Sequence, residues 1–217
     1  MNKRKSLIRT DTKHSIMDAA EYMFARNGYK GTSLRAITGR AGVNLAAVNY
    51  HFGSKKVLLE AVLLRRIQPL NLERRRRFEE IRDNARKLRK KPEAELILKA
   101  FIEPVFYFGE SDPGSKDFIT LIGRAIVDPD DTVRKVFHKF MRSIFELLFK
   151  MMSEALPGLS RDVIFWRLHF TIGAMAHAMR ICSPDMKELA HSGTATDTSA
   201  VIEHLIRFVS KGMKARR

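Results

Sequence analysis

Between Thr32 and Phe52 two short apolar periodicities meet at a single glycine, and that junction restricts the chain more than any other segment. Leu34, Ile37 and Ala41 recur at three and four residues, which gives a first helix one apolar face. Thr32 and Ser33 stand before it with hydroxyls suited to its first free N–H groups. Gly42 follows, where the chain must turn through a left-handed conformation that a side chain penalises, and Val43 fills the angle between two helices. Asn44 is placed to cap the second helix, in which Leu45, Val48 and Phe52 share one side.

The other sides of that second helix carry Ala46, Ala47, Asn49, Tyr50 and His51, a set that is small or hydrogen-bonding and has no acid. A helix entering the major groove of DNA needs this combination. Small residues permit close approach, Asn reads a base edge, and Tyr or His reaches a phosphate. Gly53, Ser54 and Lys55 then close this helix and start the next, with Lys55 at a helix N-terminus that itself attracts phosphate. A plain pair of core helices explains the glycine alone. It does not explain two caps, two apolar faces and an acid-free outer face together.

On the string Ala41-Gly42-Val43, followed by Tyr50-His51-Phe52 and Lys55, residues 12–64 resemble the DNA-binding domain of the TetR family of bacterial transcriptional regulators. The resemblance implies a three-helix head on a larger helical body that dimerises and binds a small inducer. It implies phosphate contacts from Thr32, Tyr50, His51 and Lys55 and base contacts from residues 44–50. The expected DNA-contacting set is Thr32, Ser33, Arg35, Asn44, Leu45, Ala46, Asn49, Tyr50, His51 and Lys55. Thr38 stands where many members have alanine and is still small enough for helix packing.

Charge agrees with this division. Residues 1–91 hold 23 of the 40 Lys+Arg against 8 of the 24 Asp+Glu, so nearly all of the net charge of +16 lies there. The basic part is the nucleic-acid part. Residues 1–11 read as a flexible basic arm that adds phosphate or minor-groove contacts, because no apolar run follows the charges as an export signal requires. No stretch approaches the roughly 20 apolar residues of a membrane span. The single cysteine, Cys182, excludes an intrachain disulfide framework and fits the reducing cytoplasm, as an inert apolar filler.

An all-α chain in four parts is expected: the arm at 1–11, the helix-turn-helix domain at 12–53, a connecting helix and charged segment at 54–91, and a ligand-binding and dimerisation domain at 92–217. Ile16, Ala19, Ala20, Met23 and Phe24 form a helical stripe that stops at Asn27-Gly28. The connecting helix carries Val57, Leu58, Ala61, Val62 and Leu64 and should kink or break at Pro69. Its movement is the route from body to head. Arg74 to Arg77 and Arg86 to Lys91 tempt assignment to DNA, yet Arg74 would lie about 30 Å along a straight helix from Ser54, far beyond a Debye length of about 8 Å. The run therefore reads as a solvated face with Glu73–Arg77 and Asp83–Lys87 pairs.

Beyond Pro92, helices are expected at 93–108, 116–127, 131–155, 160–182 and 198–213, with a loop at 183–197. The helix from 160 to 182 is apolar on most sides, and its small run Gly173 to Ala176 permits close approach of another helix. With the last helix it resembles the family's four-helix dimer interface. Many Phe and Met residues can line an apolar cavity. The expected effector set is Phe101, Phe118, Arg124, Phe137, Met141, Phe145, His169, His177 and Arg180. The Phe165-Trp166-Arg167-Leu168-His169-Phe170 segment is similar to the branch that senses long-chain fatty acids or acyl-CoA.

The expected function is a homodimeric repressor that reads an inverted repeat in double-stranded DNA and is released by a small hydrophobic effector, an acyl chain in particular. The chain carries no phosphate-binding glycine loop, nucleophile elbow or metal-ligand spacing, so neither enzymatic activity nor a metal or cofactor is expected. The competing reading is a non-specific architectural DNA-binding protein, which the net charge favours.

Overall fold

The computed structural model describes residues 2–111, 114–127, 131–181 and 197–215, with side chains for 11–108, 114–123, 131–179 and 197–215. Every regular element among them is a helix: α1 (Asn2–Asn27), α2 (Leu34–Ala41), α3 (Leu45–Phe52), α4 (Lys55–Lys87), α5 (Ala94–Ser111), α6 (Ser115–Val127), α7 (Thr132–Ala155), α8 (Arg161–Ile181) and α9 (Thr198–Lys214). α2 and α3 start and stop where their caps and glycines place them. Cys182, the 183–196 stretch and the side chains of Arg124 and Arg180 lie outside the described residues.

Two expectations change. The segment read as a flexible arm belongs to α1, which begins at Asn2 because no Pro or Gly interrupts residues 1–27. Pro69 does not break the connecting helix; α4 continues through it to Lys87. A proline in a helix removes one N–H and leaves a carbonyl without its partner. Pro69 sits on the exposed side, where solvent can reach the backbone around it.

The chain divides into two compact units, one of residues 1–68 with 113–140 and the other of residues 69–112 with 141–217. This division differs from a single cut at 91/92, because α6 packs on α1 and falls in the same unit as the helix-turn-helix. In the first unit Ile16, Ala20 and Phe24 of α1 meet Ile37, Val48 and Phe52 of the helix-turn-helix and Leu58, Leu59, Val62 and Leu63 of α4, all buried. Four large α4 side chains without access to water contribute about 1.5–3 kcal/mol each to this core.

α1 and α4 are also held by charge. Glu21 is buried and its carboxylate accepts from Arg66 Nε and Nη2 at 2.9 and 2.8 Å and from Arg65 Nη2 at 2.7 Å, while Arg65 Nη1 reaches Asp18 at 2.6 Å. Glu21 is thereby compensated by two cations, while Arg65 Nε stays buried without a partner.

In the second unit Phe78, Ile97, Leu98, Phe101, Ile102, Ile144, Leu148, Met151, Ile164, Ile202 and Leu205 form the core. α9 packs on α5 and α8. Arg167 of α8 donates to the Met213 and Ala215 carbonyls at 2.7 and 2.8 Å, supplying a cation and donors to the open carbonyls at the end of α9. The charged stretch of α4 is mostly as read. Glu73 pairs with Arg77 at 2.7 Å, although Asp83 meets Arg86 rather than Lys87. Arg74 departs from the expectation altogether: it is buried.

Candidate DNA-binding interface

Local chemistry sets the head. Gly31 passes so close to the end of α1 that a Cβ there would collide with the Asn27 carbonyl oxygen. Ser33 then caps α2, its Oγ accepting from Ala36 N at 3.1 Å. Gly42 takes φ +66°, the left-handed turn that the sequence required, and its N–H donates to the Thr38 carbonyl. Asn44 caps α3 by accepting from Ala47 N at 2.9 Å, and Ser54 caps α4 by accepting from Val57 N at 3.2 Å. Three successive helix starts are thus fixed by side-chain oxygens.

α3 buries Val48 and Phe52 and turns Asn44, Leu45, Ala46, Asn49 and Tyr50 outward. Leu45, read from spacing as part of the apolar side, is 39% exposed and joins the outer face. Tyr50 is 67% exposed, and its ring meets the half-buried His51 edge-on at 5.1 Å. Ser33 and Arg35 at the start of α2 are exposed as well. No carboxylate occurs from Gly31 to Leu59, so the outer surface of α2 and α3 meets a phosphate backbone without repulsion from its own segment.

Two of the expected contacts have other work. Thr32 is buried, and its hydroxyl donates to the Gly28 and Met23 carbonyls at 2.8 and 3.1 Å, tying the start of α2 to the end of α1. Its side chain is not on the DNA surface. Lys55 donates from Nζ to the Tyr29 and Thr32 carbonyls at 3.0 Å each, with the ammonium 4.4 Å from the centre of the Tyr29 ring. Two of its three donors are engaged in joining α4 to the turn before α2, so Lys55 positions the head more than it reaches for phosphate.

Sequence reasoning missed Tyr22. The Arg26 and Arg40 guanidiniums lie 3.5 and 3.3 Å from its ring centre. Two groups cannot share one face at that range, so the ring is held between them. Arg26 also pairs with Asp117 of α6 at 2.8 Å. A chain of contacts therefore runs from α6 through Arg26 and Tyr22 to Arg40 at the end of α2. Tyr22 and Arg26 lie four apart on one helix face, which was the readable signal.

The expected effector residues separate. Phe101, Met141 and Phe145 come together in the second unit: the two rings lie 5.9 Å apart, and Phe101 and Met141 both touch Arg74. Phe118 and Phe137 belong to the other unit. His169 and His177 are exposed on α8, which removes them from a buried ligand site. His169 lies tilted against Phe165, with ring centres 4.0 Å apart, and belongs to an outward aromatic face with Trp166 and Phe170.

Comparison with known proteins agrees with the geometry of the head. Residues 16–62 match the family described as bacterial regulatory proteins, tetR family, and residues 99–212 match the tetracyclin repressor-like C-terminal domain. The HTH-type transcriptional regulator SrpR of Pseudomonas putida is 40% identical over 63 residues, 29% of this chain and 30% of that protein. The chain therefore matches less than a third of that relative's length.

Among solved structures, a TetR family transcription regulator from Shewanella sp. PV-4 superposes with TM-score 0.62 at 18% identity, covering 91% of this chain and 97% of the other. The regulator FadR from Bacillus subtilis, in complex with stearoyl-CoA, gives 0.65 at 16% identity over 92% and 98%. Such identities speak for the fold alone. The C-terminal match spans more than half of the chain and the N-terminal one falls on the capped helix pair, so this chain belongs to the TetR family, whose members are DNA-binding transcriptional regulators rather than enzymes.

Proposed function

We propose that the chain works as a homodimeric repressor, that it reads an inverted-repeat operator with α3, and that a small hydrophobic effector, an acyl chain, releases it. The observation that carries the DNA half is the outer face of α3, where Asn49 and Tyr50 stand exposed on a helix fixed at both ends and free of acid. Asn44, Leu45 and Ala46 set how closely the helix enters the groove. Ser33, Arg35 and His51 are assigned to phosphates.

Dimerisation is supported by α8 and α9. Trp166 is 57% exposed, Phe170 68% and Phe208 72%, a density of outward aromatic surface that a soluble helix pair covers with a partner. We assign this face of α8 and α9 to a second copy of the chain, which places two heads on one duplex about 34 Å apart. The acyl effector is supported by the Phe101, Met141 and Phe145 cluster and by the fold shared with a regulator crystallised with stearoyl-CoA. The Asp117, Arg26, Tyr22 and Arg40 contacts give the head a route by which movement of α6 is felt at α2. No described helix is long and apolar enough to cross a membrane.

The test is selection of genomic DNA fragments on the purified protein at physiological salt, followed by sequencing. Enrichment of one inverted repeat is the expected result. Uniform retention of all fragments would replace this reading with a charge-driven architectural protein.

A further inference from the structure

One cation in the second unit is buried without a carboxylate. Arg74 is 2% exposed. Its Nε donates to the Phe101 carbonyl at 2.9 Å, its Nη1 reaches Asn71 Oδ1 at 3.2 Å and Met141 Sδ at 3.9 Å, and its guanidinium lies 4.3 Å from the centre of the Phe101 ring. Each of these groups is neutral. Burial alone pushes the group down to about 9, so it remains a cation at neutral pH.

The neighbouring arginines are treated differently. Arg76 meets Glu73 and Glu80, and Arg77 meets Glu73 and Glu103. Glu103 lies two residues beyond Phe101 on α5, yet it serves the partly exposed Arg77 and leaves Arg74 uncompensated. One structural duty is visible. Pro104 interrupts the hydrogen bonds of α5, and Nε supplies a donor to a carbonyl in the preceding turn. That duty needs a donor and not a charge. A buried unpaired charge is costly, and it persists where a counter-ion completes it.

We propose that Arg74 is the anchoring cation of the effector site and takes the carboxylate of an amphipathic organic acid, whose apolar body packs on Phe101, Met141 and Phe145. The inference rests on the hydrophobic-effector reading and adds the head group to it. The guanidinium fork matches a carboxylate in two parallel hydrogen bonds. Met141, unbranched and in contact with the guanidinium, is the side chain that yields on entry.

The test is calorimetric titration of the full-length protein at pH 7.5 with saturated carboxylic acids of eight to eighteen carbons and with the primary alcohols of the same lengths, below their micelle concentrations. The proposal expects the best acid to bind at least tenfold tighter than its alcohol. Arg74→Gln, which keeps a donor for the Phe101 carbonyl and removes the charge, should bring acid and alcohol to equal affinity. Arg74→Met gives the same comparison if the Gln variant does not fold. Equal binding of acid and alcohol to the unmodified protein, or an acid preference that survives both substitutions, overturns the assignment of Arg74 and leaves the hydrophobic effector standing. If no acid or alcohol binds, both readings fall.

Discussion

Arg66 and Arg74 lie on one helix about two turns apart, both are buried, and their surroundings could hardly differ more. Arg66 is clasped through Nε and Nη2 by Glu21, which Arg65 shares. Arg74 meets a carbonyl, an amide and a sulfur. In the unit that carries α3 the buried charge is closed upon itself and joins α1 to α4. In the unit that carries the Phe101 cluster it is left open. The contrast teaches that a buried arginine is a fastener or a receptor according to what the fold gives it, and that this chain uses one of each.

The comparison is broken most severely by Glu21→Gln. Removing one partner strands the Arg66 cation, and a loss of about 3–5 kcal/mol is expected in urea denaturation. Retention of full stability would mean that the pair fastens nothing. Asn49→Ala combined with Tyr50→Ala touches the same unit from outside. It should leave the urea midpoint in place and cost about 1–3 kcal/mol of preference for the selected operator over random DNA, read by competition binding.

Arg74→Met is expected to change stability by no more than about 1.5 kcal/mol in either direction, because the lost Phe101 hydrogen bond is offset by relief of an unpaired charge. A loss as large as that of Glu21→Gln would erase the difference between the two arginines. The smallest effect belongs to Glu73, whose carboxyl is held down to about 2 by hydrogen bonds from Arg76 and then Arg77. Its contribution is present above the ordinary value of 4.5 and is lost as pH falls toward 2. Urea midpoints across that range should fall less steeply in Glu73→Gln than in the unmodified protein, and parallel slopes would remove Glu73 from the account.

Helix limits were legible because their causes are local: Ser33, Asn44, Gly42 and the Asn27-Gly28 stop act within a turn of where they stand. The outer face of α3 was legible for the same reason. Thr32 and Lys55 were not, since what occupies them is carbonyls of Met23, Gly28 and Tyr29 that only the fold turns toward them. Arg74 was hidden by resemblance to the three arginines after it. Its spacing of four from Leu70 and from Phe78, both buried, placed it on the apolar side of α4, and that periodicity outweighs the charge. Pro69 misled because a proline costs a helix one bond, which a 33-residue helix absorbs on its wet side.

The aromatic face of α8 and α9 has a consequence for dosage. If Trp166, Phe170 and Phe208 are covered only by a second copy, the active species forms in proportion to the square of chain abundance while that abundance is low. Operator occupancy then rises with a threshold rather than in proportion to expression, and halving the number of chains in a cell more than halves that occupancy while it is low.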